Sequence, residues 1–196
     1  MMTPLSDLRR LALFILAFFA ISAGAAHPAA AQSVGALNQR LDEIAPQVAE
    51  GVSNPQAASQ AIDKLDQAES DFTQIAENGR SSQEQLLATY DRLESMLSRM
   101  YTTYQRQKDA CINTIDNGGN CDYEQPEQLA LRALYPLSWL RIEGASLYGA
   151  EPARARRLLN QAIDGFSNSA LVLLSPELIR ENLLGRGYAE RDLGKF

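Results

Sequence analysis

SSQEQLLATYDRLESMLSRMYTTYQRQKDACINTID, residues 81–116, is the longest stretch of the chain in which one helical pattern runs without proline or glycine. Leu86, Tyr90, Leu93, Leu97, Met100 and Tyr104 alternate spacings of four and three, and Cys111 and Ile115 continue the phase. At 3.6 residues per turn that spacing gathers the apolar side chains into one stripe, which a helix buries against other helices. Ser81 followed by Glu84 has the form of a capping box, so the helix is predicted to begin at Ser81 and to run to about Asp116. Tyrosine and methionine at helical spacing read as core, with a face for an apolar ligand as the alternative.

Outward from this helix the punctuation stays helical. Pro55, Pro126, Pro152 and Pro176 each stand where an amphipathic run begins, as suits a residue with fixed φ and no N–H to satisfy, and Asn54 and Ser175 are matching N-caps. A first helix is predicted over about 34–50, with Leu37, Leu41, Ile44 and Val48 on one face and Pro46 expected to kink or shorten it. A second, over about 55–77, presents Ile62, Leu65, Phe72 and Ile75 and stops at Asn78-Gly79, with Asp, Glu, Gln and Lys on its far side. No alternating stretch of strand length appears. The predicted fold class is all-α, beginning with a helical bundle or antiparallel coiled coil.

The 196 residues are 45% hydrophobic and 21% charged, with net charge −6, which suits packed soluble domains and argues against nucleic acid as a partner, since no basic run is present to neutralise phosphates. Residues 1–31 read as an export signal: Arg9 and Arg10 precede an apolar stretch, 11–26, that ends in the small-residue segment Ala29-Ala30-Ala31. Its strongly hydrophobic part, 11–21, is about half of the roughly 20 residues a spanning helix needs, so cleavage near Ala31 is expected rather than a membrane span in the mature form. The product would be periplasmic or extracellular. Cleavage would take the net charge to −7, by removing Asp7, Arg9 and Arg10, and would remove His27, the only histidine. Catalysis by a histidine base, a Ser-His or Cys-His pair, or a histidine-ligated metal would go with it.

Cys111 and Cys121 flank Asp116-Asn117-Gly118-Gly119-Asn120, a segment whose composition makes a turn between helices. In an oxidising compartment the pair is expected to form a structural disulfide; closing this 11-residue loop constrains the unfolded chain by about 3 kcal/mol. A redox-active pair is the weaker alternative because the spacing is not Cys-x-x-Cys. A calcium loop from Asp116, Asn120, Asp122 and Glu124 is another, weakened by a glycine at the third ligand position and by Cys121 where the invariant glycine would stand.

From Glu124 the texture becomes Leu- and Arg-rich, with Leu129, Leu131, Leu134, Leu137, Trp139, Leu140 and Ile142 crowded together and Pro136 expected to kink the helix. Leu140 and Gly144 precede a turn at Gly149-Ala150-Glu151-Pro152, and Leu183 and Gly187, 43 residues on, precede a turn at Gly194-Lys195-Phe196. A small residue in mid-helix lets a neighbour approach closely, which is how helical-repeat hairpins are built.

Here the chain resembles the tetratricopeptide repeat (TPR) family. Gly187, Ala189, Leu193, Gly194 and Phe196 stand on the family's small, small, apolar, glycine and aromatic positions, while Leu183, Arg186 and Glu190 replace its usual Trp, Leu and Tyr. Ala155 and Ala162 match the two alanines of a second helix, and that helix runs on longer than the family's. The resemblance spans about 129–196 and implies a start of an α-solenoid that binds a protein or peptide, with no reaction and no cofactor. It also implies that the helix from Pro176 has an apolar face without its hairpin partner, read here as truncation at Phe196.

The expected organisation is therefore a signal peptide over 1–31, a bundle over 32–122 and TPR-like repeats over 123–196. The expected function is an exported, non-enzymatic interaction scaffold of the cell envelope, with Arg141, Tyr148, Arg186 and Glu190 as partner contacts. Self-association through the heptad of 81–116, as a structural coiled-coil component, is one alternative. A cell-wall glycosidase relying on Glu143 in an apolar setting is another.

Overall fold

A computed structural model describes residues 33–169 and 176–194. The expected signal peptide, the Ser175 cap and Phe196 lie outside the described residues. Among the described residues six helices follow in order: α1 Val34–Gly51, α2 Pro55–Glu77, α3 Gln83–Asp116, α4 Glu124–Leu147, α5 Pro152–Ser169 and α6 Pro176–Leu193. There is no strand among the described residues, and the fold is all-α.

Each start has a local cause. Ser33 Oγ accepts from Ala36 N at 3.2 Å, and Asn54 Oδ1 accepts from Gln56 N and Ala57 N at 3.0 and 3.3 Å. The box at α3 sits one residue beyond its expected place: Ser82 Oγ accepts from Gln85 N while Gln85 Oε1 accepts from Ser82 N. The segment Ser81-Ser82-Gln83-Glu84-Gln85 carries the S-x-x-E/Q pattern in two registers, and the second is formed. α2 ends as expected, with Gly79 at φ +62°. Pro46 does not end α1, which continues to Gly51. Leu41 and Ile44 before it and Val48 after it are all buried, and their packing outweighs the roughly 3 kcal/mol an interior proline costs.

α1 and α2 pack as a hairpin, α3 packs against both, and α4 packs against α3 and α2. The α3 stripe is buried from Leu86 through Tyr104 to Cys111, but Ile115 is exposed where the helix runs past its neighbours. Tyr104 carries the seam into the α1–α2 turn, where its hydroxyl donates to Gly51 O at 2.5 Å and Gln107 Nε2 donates to Val52 O at 3.0 Å. Gly51 is required there, since a Cβ would lie 2.9 Å from Ala58 Cα. The far side of α2 is not wholly solvated: Glu69, Asp71 and Thr73 are buried, Thr73 Oγ1 donates to Glu69, and Arg40 pairs with Asp71.

Cys111 and Cys121 are joined, with Cα atoms 5.4 Å apart. Between them Gly118, at φ +81°, and Gly119 cap α3 by donating to Ile115 O and Thr114 O. Asp122, a candidate calcium ligand, instead accepts from Glu124 N at 3.0 Å at the start of α4.

α5 packs on α4 and α6 on α5. The described residues from Ser33 onward cluster as one compact unit, and the boundary drawn at 122/123 falls in the turn between α3 and α4, which pack against one another.

Candidate interaction surface

The four residues read as partner contacts fall into two groups. Arg141 and Tyr148 belong to the seam between α3 and α4. The Arg141 side chain is 12% exposed, with Nη2 3.9 Å from Glu94, and burial lowers its pKa. Tyr148 is buried, donates to Asp91 Oδ1 at 2.9 Å and carries the Arg154 guanidinium 3.5 Å above its ring. Burial, and then the hydrogen bond to Asp91, push its phenol up to about 12. Tyr90 lies edge-on to Tyr148 in the same seam, and burial raises its phenol further. These groups are turned inward. Arg186 and Glu190, by contrast, are exposed on α6 and pair with each other at 2.8 Å.

α6 is built the opposite way from an ordinary surface helix. Its inward residues are Asn182, Gly185 and Ala189, all buried. Gly185 fits against the Phe166 ring, where a Cβ would meet Cζ at 2.5 Å. Asn182 Nδ2 donates to Phe166 O at 2.6 Å, and Ser169 Oγ donates to Asn182 Oδ1 at 3.0 Å. Beside them Tyr135 donates to Glu181 at 2.9 Å, and Trp139 stands edge-on to Phe166 with centroids 5.1 Å apart. Small side chains and hydrogen bonds thus seat the helix, together with half-buried Tyr188 and Leu193. Its larger apolar residues Leu178, Ile179 and Leu184 are exposed, and Leu183 is 62% exposed.

These outward residues were absent from the predicted contacts, although the sequence carried the signal. Ile179, Leu183 and Leu184 cannot share the arc of Asn182, Gly185 and Ala189 at 100° per residue, whereas Leu178, one turn before Asn182, lies on that arc and is exposed at the start of the helix. Which arc turns inward was decided by the ring and carbonyl of Phe166, on another helix. The two members of the 43-residue pair also differ in surroundings. Leu140 is fully buried and Gly144 is filled by the Tyr90 ring, whereas a Cβ at Gly187 would meet nothing within 4 Å.

Glu143, the carboxylate considered for catalysis, is half-buried on α4. Among the described residues no three or more His, Cys, Asp or Glu stand together so as to hold a metal ion, and no helix is long and apolar enough to cross a membrane. Comparison with protein-family models, with curated proteins and with solved structures gives no match to this chain.

Proposed function

We propose that this chain is an exported, non-enzymatic interaction scaffold of the cell envelope, in which α4, α5 and α6 act as TPR-like helices and the outward face of α6 is the docking surface. The observation that carries the reading is the exposed strip of α6, where Ile179, Leu183 and Leu184 face solvent while Asn182, Gly185 and Ala189 face the core. Helical-repeat units stack by burying such faces against a neighbour, so an exposed face of this kind is a place for a helix to add. Arg186 and Glu190, paired with each other, are exposed beside the strip where a partner can meet them, whereas Arg141 and Tyr148 serve the α3–α4 seam. The disulfide between Cys111 and Cys121 suits an oxidising compartment and thus export.

The test is a photo-crosslinking residue placed at Leu183 and, as a control, at exposed Arg99 on α3, in the cell that makes the protein. The reading expects one discrete protein adduct from position 183 and none from position 99. Equal yields at both positions, or no adduct at either, would contradict it.

A further inference from the structure

We infer that the occupant of the α6 face is α6 of a second copy, laid antiparallel across a two-fold axis, with Leu183 of each copy seated over Gly187 of the other. This rests on the reading of α6 as the docking surface and names its partner.

Arg180, Leu183, Gly187 and Glu190 form one exposed column along α6, at spacings of three, four and three. The column is its own complement when reversed. An antiparallel two-fold sets Arg180 opposite Glu190 and Leu183 opposite Gly187, each pair occurring twice, as an isologous contact requires. The steric half of that match is open: a Cβ at Gly187 would have nothing within 4 Å, unlike those at Gly144, Gly165 and Gly185, which would strike Tyr90, Ser138 and Phe166. A leucine on a facing helix finds space there, and the backbones can approach closely. For the electrostatic half, Arg180 makes no ion pair among the described residues, while Glu190 already holds Arg186 and can accept a second cation. A parallel pairing would set Arg180 against Arg180 and Glu190 against Glu190, so charge alone selects the antiparallel one. At the flanks, Ile179 and Leu184 meet the alkyl stems of Arg191 and Arg186.

An 18-residue helix is about 27 Å long, and two of them side by side cover less than the roughly 1,600 Å² of a standard interface. The association is accordingly reversible and concentration-dependent.

Sedimentation equilibrium of the protein, in the form the cell accumulates, tests it through charge exchange. The wild type is expected to pass from monomer to dimer through the micromolar range. Arg180→Glu and Glu190→Arg, each alone, place like charges across the axis twice and are expected to weaken the dimer at least tenfold. An equimolar mixture of the two variants restores both opposite-charge pairs and is expected to recover a mixed dimer. Gly187→Leu fills the receiving space and is expected to abolish association with the helix content retained. All three substituted positions are exposed, so folding is not at stake. A wild type that stays monomeric, or single variants that dimerise as well as the wild type, or a mixture that fails to recover, would overturn the inference. If in that case position 183 still crosslinks to a different protein, the docking surface stands and only its occupant is wrong; if the crosslink is lost as well, both fall.

Discussion

Gly144 lies under the ring of Tyr90, so close that a Cβ there would be 2.4 Å from the ring carbons Cε2 and Cζ. Tyr90 is 2% exposed and cannot swing into solvent. Gly144→Ala is therefore expected to destabilise the chain by about 1–3 kcal/mol through overpacking. Gly187→Ala, in open space on α6, is expected to stabilise the monomer by up to about 1 kcal/mol from helix propensity alone. Urea unfolding at concentrations where the chain is monomeric measures both, and equal effects would refute the contrast drawn between the two glycines.

The bond between Cys111 and Cys121 closes the turn from α3 to α4. Replacing both cysteines by serine is expected to cost about 3 kcal/mol, most of it through the unfolded chain. Hydrogen exchange should rise at the end of α3, beyond Tyr104, and stay unchanged in α1. A cost near zero would mean that the helices alone hold the turn.

Tyr148 links stability to alkaline pH. Its phenol stands at about 12 in the folded chain against 10.0 for the free side chain, because burial and Asp91 oppose its ionisation. A group whose folded pKa is raised stabilises the fold below its unfolded pKa, and that contribution is lost as pH rises through the folded value. The window is pH 10 to 12. Tyr148→Phe is expected to flatten the fall of stability in that window, measured by unfolding at stepped pH; an unchanged slope would dissociate the tyrosine from the effect.

The elements and most of the core were legible from the spacing of apolar residues, since Leu37, Leu41, Ile62, Leu65, Leu93 and Leu97 are buried where periodicity put them. The cap at Ser82 was legible only to within one residue, because the pattern occurs twice and local geometry chose between them. Buried Asp71 was hidden by its type: Arg40, on another helix, pairs with it, and Gln67 donates to its carboxylate from one turn earlier. The candidate site was legible as far as the expectation of an apolar face on the last helix. The placement of Arg141 and Tyr148 in the α3–α4 seam was not legible without tertiary information, since their partners Glu94 and Asp91 come from α3. The identity of the inward arc of α6 depended on Phe166, which no pattern within α6 encodes.

The central claim is that the leucine face of α6 points away from the core. It is tested most directly by the unfolding free energy of Leu183→Asp, measured in urea at concentrations where the chain is monomeric. The account predicts a loss below about 1 kcal/mol, as befits an exposed helical position. A loss of about 3 kcal/mol or more, the cost of placing a carboxylate in a core, would show that Leu183 is buried and would contradict it.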